Sequence, residues 1–131
     1  MRVLSVVGAR PQFVKLAPVH AALLAARHEH TIVHTGQHYD LDMSDAIFQD
    51  FDLPEPNVNL AIGSGTHAEM TSAILRQVDP VLTAARPDVV LVYGDTDSTL
   101  AAAVAAVKHE MRIAHVEAGL RSFNRAMPEE V

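Results

Sequence analysis

The residues best suited to chemistry lie in RIAHVEAGLRSFNRAMPEE, residues 112–130. Ile113, His115 and Val116 alternate with other residues and lead into Glu117 and Gly119, then two basic residues, Arg121 and Arg125. An acidic pair, Glu129 and Glu130, follows Pro128. The pattern predicts a short buried strand that releases a carboxylate into a turn. Two or more carboxylates converging on one crevice suit removal and return of a proton at carbon, since unlike surroundings can separate their pKa values. The arginines suit a phosphate or a sugar carboxylate, which a guanidinium grips with paired hydrogen bonds. A solvated loop is the plainer alternative. His115, two residues before Glu117, is expected to face away from it as a packing histidine.

Two further segments carry polar sets that packing does not require. In GARPQFVK (residues 8–15), backbone N–H groups at a helix start, with Arg10 and Lys15 nearby, form a natural phosphate site. Ordinary surface charges explain the same two residues equally well. The segment is neither a dinucleotide fingerprint nor a P-loop, because both glycine patterns are missing. In GDTDST (residues 94–99), Asp95 directly follows an apolar run, where a carboxylate serves as a general base, orients one, or is structural. Asp97 is expected to cap the following helix. Seven other histidines (His20, His28, His30, His34, His38, His67 and His109) raise the question of a metal. H-E-x-x-H is missing, and no metal is expected.

The elements that must position these residues follow from the apolar pattern. Residues 3–7 (VLSVV) and 89–93 (VVLVY) are continuous β-branched runs, as in strands buried on both faces of a parallel sheet. Residues 30–35 and 112–116 read as further strands, and 58–60 as a short one. Pro11 suits a first helical position, and Val14, Leu16, Ala17, Val19, Ala21, Leu23 and Leu24 predict a helix with a broad apolar side, bent at Pro18. Residues 42–51 read as a short helix with Phe48 and Phe51 inward. Thr66 and Glu69 match a capping box that opens a helix carrying Pro80. The alanine-rich residues 100–109 complete a β-α-β-α-β-α-β-α-β order. That order specifies an α/β Rossmann-like doubly wound parallel sheet, whose ligands sit off the carboxyl ends of the strands.

Composition narrows the partners. The chain has 131 residues, 49% hydrophobic and 20% charged, a formal charge of −6 and no cysteine. A net acidic surface argues against nucleic acid and anionic membrane, and the lack of cysteine excludes disulfides and thiolate chemistry. The N-terminus does not read as a signal peptide and no run is long enough to span a bilayer, so a cytoplasmic location is expected. A domain rarely ends inside a loop such as 117–131, so a truncated, longer protein is expected.

Taken together, GARPQFVK, TGQHYD, VLVYGDTDST and HVEAGLRSFNRAMPEE resemble the non-hydrolysing UDP-N-acetylglucosamine 2-epimerases, from Arg2 to the last residue. HVEAGLR followed by PEE is specific to that family. The resemblance implies the N-terminal half of a GT-B-type two-domain enzyme: residues 1–131 form one Rossmann-like domain, and a second, nucleotide-binding domain is absent from this chain. It implies interconversion of UDP-GlcNAc and UDP-ManNAc by elimination and re-addition of UDP, for polysaccharide precursors, with no metal or nicotinamide. By position, Asp95, Glu117 and Glu129 match the essential carboxylates, and Arg10 and Lys15 match basic residues lining the diphosphate side. Gln37 and His38 fall in the loop where some bacterial members bind a second UDP-GlcNAc as activator. A homodimer is implied, and the fragment alone is expected to be inactive.

Some positions depart from the common pattern. Gln12 stands where many epimerases have Glu, and Tyr39-Asp40 replaces an Arg and a second polar residue. GARPQF, TGQHYD with Met43-Ser44-Asp45, and RSFNRAMPEE resemble the branch acting on UDP-2,3-diacetamido-2,3-dideoxyglucuronate, whose extra carboxylate Arg125 would meet. Readings from another class are a GT-B glycosyltransferase and a non-catalytic nucleotide-sugar-binding module.

Overall fold

The computed structural model describes residues 1–37, 48 and 50–131. The described elements are strands β1 (Arg2–Val7), β2 (Glu29–His34), β3 (Val58–Asn59), β4 (Val89–Tyr93) and β5 (Arg112–Val116), with helices α1 (Arg10–Ala25) between β1 and β2, α2 (His67–Ala85) between β3 and β4, and α3 (Asp97–Lys108) between β4 and β5. The strands form one sheet in the order β3-β2-β1-β4-β5, and every pairing is parallel. The chain therefore winds outward from β1 in one direction and from β4 in the other. The crevice between the carboxyl ends of β1 and β4 is the switch point of a doubly wound sheet, the usual ligand position.

The buried runs form strands because both faces of the sheet are covered. Side chains alternate across a strand, so Leu4, Val6, Val33, Val90 and Val92 meet Val78 and Leu82 of α2 and Ala102, Ala105 and Ala106 of α3. On the other face Val7, Ile32 and Tyr93 meet Phe13 and Leu16 of α1. The alanines bring α3 close to the sheet, which fixes the start of α3 and the loop before it. Thr66 caps α2 as expected: its hydroxyl accepts from Glu69 N–H, and the Glu69 carboxylate accepts from Thr66 N–H at 2.9 Å. Those bonds hold the Glu69 carboxyl below its ordinary pKa.

Two expectations change. The strand over residues 112–116 was expected to be buried, yet Arg112, Ala114 and His115 are exposed, because β5 is the edge of the sheet. The broad apolar side of α1 is narrower than expected. Only Gln12, Phe13 and Leu16 are buried, while Val14 and Leu24 remain 47% and 53% exposed. Apolar residues at 14, 16, 17, 19, 21, 23 and 24 spread around a 3.6-residue turn and cannot all face one sheet. Pro18 and Pro80 both sit within continuous helices. The helix expected over residues 42–51 lies mostly outside the described residues. Phe48 is buried and meets Phe13 edge-on, ring centroids 5.0 Å apart.

Candidate active site

At the carboxyl ends of β4 and β5, beside the first turns of α1, lies a cleft of about 200 Å³ lined by Lys15, Asp95, His115, Glu117, Leu120 and Glu129. Lys15 projects from the second turn of α1, Asp95 follows β4, and Glu117 follows β5. Gly94 N–H donates to Val116 O at 3.0 Å, which ties the two strand ends together and sets Asp95 beside Glu117. Lys15 Nζ forms an ion pair with the Glu117 carboxylate across 102 residues of chain. Glu117 itself has φ 66°, the left-handed region. A non-glycine residue there costs roughly 1–3 kcal/mol, and such strain clusters at functional positions.

The packing role expected for His115 is overturned. It is exposed, lines the cleft, and its Nε2–H donates to Gly94 O at 2.6 Å. His115 and Glu117 thus line the same cleft, although Glu117 lies past the end of β5. The cap expected from Asp97 also changes. Thr96 is the N-cap of α3, and its hydroxyl accepts from Thr99 N–H at 3.4 Å. Asp97 instead occupies the first turn, where its carboxylate accepts from Gln37 Nε2 at 3.3 Å and pairs with His67 at 2.8 Å.

The other candidates separate into distinct positions. Arg121 lies outside the cleft lining, bonded at 3.1 Å to Glu130. Arg10 and Arg125 are exposed, also outside the lining. Gln37 is buried, and its Oε1 accepts from the Ser98 hydroxyl at 2.6 Å, so it braces the end of β2 against α3. His38 lies outside the described residues.

Sequence reasoning missed two residues that shape this region. Glu130 accepts from the backbone N–H of Ser122 at 2.9 Å and of Phe123 at 3.0 Å, besides Arg121, which folds residues 121–130 into a closed loop and presents Glu129 to the cleft. Those bonds hold its carboxyl below the ordinary value. Gln12 is 2% exposed and joins the loop after β1 to the loop after β4. A Gln three residues after a helix N-cap is half of a capping-box pattern, the one signal available for it. Behind the site, His20 Nδ1 and His30 Nδ1 lie 2.8 Å apart, and Ser5 Oγ joins His30 Nε2 at 2.7 Å to the Tyr93 hydroxyl at 3.0 Å. Burial, reinforced by His20, lowers the His30 pKa to about 4.

Comparison with known proteins bears on this geometry. The sequence model of the UDP-N-acetylglucosamine 2-epimerase family matches residues 21–131. A Methanococcus maripaludis UDP-N-acetylglucosamine 2-epimerase homolog is 53% identical over the whole chain, which spans 36% of that relative. The UDP-2,3-diacetamido-2,3-dideoxy-D-glucuronate 2-epimerase of Pseudomonas aeruginosa is 48% identical, again over the whole chain and 37% of its own length. Among solved structures, Methanocaldococcus jannaschii UDP-GlcNAc 2-epimerase in complex with UDP-GlcNAc and UDP superposes with a TM-score of 0.95. It is 47% identical, and the match covers 99% of this chain and 36% of that one. The chain thus spans little more than a third of the length of these relatives.

Proposed function

The chain belongs to the UDP-N-acetylglucosamine 2-epimerase family, and from that premise we propose that the protein it represents interconverts UDP-GlcNAc and UDP-ManNAc. The observation that carries the reading is the convergence of Lys15, Asp95, Glu117 and Glu129 on one cleft at the carboxyl ends of β4 and β5. Inverting C2 requires a C–H bond to break and to re-form on the opposite face. In the elimination, a carboxylate takes the C2 proton while the C1–O bond breaks and its electron pair leaves with UDP, so that a C1=C2 double bond forms. In the return step UDP adds back at C1, and C2 receives a proton from the other side. Two or more acids on one cleft wall supply both faces, and negative charge around the sugar stabilises cationic character at C1. In this reading Lys15 and Arg10, at the start of α1, meet the departing diphosphate, with Arg121 and Arg125 as further substrate contacts and Gln37 with His38 as the activator loop.

The proposal extends to the parts of the family's length that this chain does not cover. A second nucleotide-binding domain closes the cleft, so the 131-residue chain alone is inactive, and the complete protein is a cytoplasmic homodimer. Among the described residues no helix is long and apolar enough to cross a membrane. A second reading, the diacetamido-glucuronate as substrate, is favoured by the 48% identity to the Pseudomonas aeruginosa enzyme. In it, exposed Arg125 meets the extra carboxylate.

The test is incubation of a protein of full family length, carrying these residues, in D₂O with each UDP-sugar in turn, followed at C2 by NMR. Deuterium and inversion with UDP-GlcNAc are expected. The same signal with the uronate alone selects the second reading. Transfer of the sugar without deuterium at C2 indicates a glycosyltransferase instead, and no reaction with either sugar removes the epimerase reading.

A further inference from the structure

Asp95 stands between two anchored stretches of backbone. On its carboxyl side, Thr96 is the N-cap of α3. On its amino side, Gly94 turns the chain with φ 64° and is tied to β5 twice. Its N–H donates to Val116 O at 3.0 Å, and its carbonyl accepts from His115 Nε2 at 2.6 Å. The first tie is backbone to backbone and forms with any residue at 116. The second needs a donor on the side chain at 115. It also acts directly on Asp95, because the Gly94 carbonyl and the Asp95 N–H belong to one planar peptide. A carbonyl oxygen brings no hydrogen, so the ring must carry its proton on Nε2, as both the imidazolium and one neutral tautomer do. His115 is exposed on the cleft wall, where packing does not call for an imidazole. Glu117 adjoins the same junction, since a Cβ at Gly94 would lie 3.7 Å from its Oε2. A rotation of the Gly94–Asp95 peptide therefore changes the spacing of the two acids.

We propose that His115 is a positioning residue: its Nε2–H holds the Gly94–Asp95 peptide and so sets Asp95 against Glu117 across the ends of β4 and β5. What this role requires is the donor, not the titrating ring. His115→Gln keeps an N–H at about the reach of Nε2, whereas His115→Phe keeps a flat ring and loses the donor. The catalytic consequence rests on the epimerase reading above. The hydrogen bond and its hold on the loop do not.

Two readouts keep these apart. In the ¹⁵N-labelled chain, at a pH where the ring is neutral, the His115 proton is expected on Nε2. The Gly94 and Asp95 amide signals should move in H115F and stay near native in H115Q. In a protein of full family length carrying these residues, kcat of H115F is expected to fall by about tenfold or more, with KM within about threefold, because a displacement near 1 Å reaches turnover more than binding. H115Q should stay within about threefold of native in both constants. Native kcat in H115F overturns the proposal even if that variant is less stable, since lost packing alone leaves the turnover of folded enzyme unchanged. Equal losses in H115F and H115Q overturn it too, because the ring and not its donor is then required. So does a neutral ring with its proton on Nδ1. If the native enzyme has no turnover, the epimerase reading fails, and the tautomer and the amide signals still decide the contact. Should H115F not fold, the native tautomer and the H115Q rate decide, and an H115Q rate below about a tenth of native contradicts the role.

Discussion

Replacing His30 with glutamine should flatten the acid sensitivity of the fold. The His30 ring lies under α1, between His20 and Ser5, with its pKa lowered from 6.5 to about 4, first by burial and then by the neighbouring His20. Because the folded-state value lies below the unfolded one, the unfolded chain binds more protons between the two, and stability rises with pH across that window. The contribution is complete above about pH 6.5 and is lost as pH falls toward 4. One histidine with these two values removes about 2 kcal/mol between pH 8 and pH 5. His20 and His34 are also shifted down by burial and add in the same direction. The amide introduced by His30→Gln can keep a hydrogen bond to Ser5 and does not titrate. Urea unfolding from pH 8 to pH 5 should therefore show H30Q about 1 kcal/mol less stable at pH 8, from the lost bond to His20. Its loss on acidification should be smaller than the native one by about 2 kcal/mol. Parallel curves for the two proteins would refute the assignment of this titration to His30.

Two further perturbations test the packing around the site. A Cβ at Gly8 would lie 2.2 Å from Thr35 Oγ1 and 2.5 Å from Ser98 Oγ, buried hydroxyls bonded to each other at 2.8 Å. Gly8→Ala should cost about 1–3 kcal/mol through overpacking, measured as a lowered thermal midpoint, and a loss below about 0.5 kcal/mol contradicts that crowding. Glu130→Gln removes the charge that gathers Arg121 and two backbone N–H groups. Trypsin should then cut at Arg121 or Arg125 about tenfold faster, as expected when a local opening becomes easier. An unchanged rate means that the loop is held by other contacts.

How much of this could be read from the chain depended on whether local pattern or tertiary contact decided the outcome. VLSVV and VVLVY announced central strands because nothing but burial on both faces selects such runs, and Thr66–Glu69 announced a helix start because the cap is made within one turn. Asp95 and Glu117 were legible as strand-end carboxylates, and the structure does place them in one cleft with Glu129. What failed was non-local. The exposure of β5 depends on what flanks it, not on its own residues. Between Thr96 and Asp97 the cap was decided by backbone geometry, and Asp97 was drawn to Gln37 and His67. Gln12 reaches residues more than 80 positions away, and the His20–His30–Ser5–Tyr93 chain joins elements far apart in sequence. The bond from Arg121 to Glu130, nine residues on, is likewise a contact that neither residue announces by itself.

The central claim is that Asp95, Glu117 and Glu129 act on a proton at C2 and do not merely shape a binding surface. Its most direct test is solvent deuterium uptake at C2 of UDP-GlcNAc by a protein of full family length, native and as D95N, E117Q and E129Q, with the affinity for the UDP-sugar measured alongside. Uptake should fall by about a hundredfold or more in each variant, in line with loss of general acid–base catalysis, while affinity changes by no more than about threefold. Native uptake in all three variants, or affinity that falls in step with uptake, would contradict it.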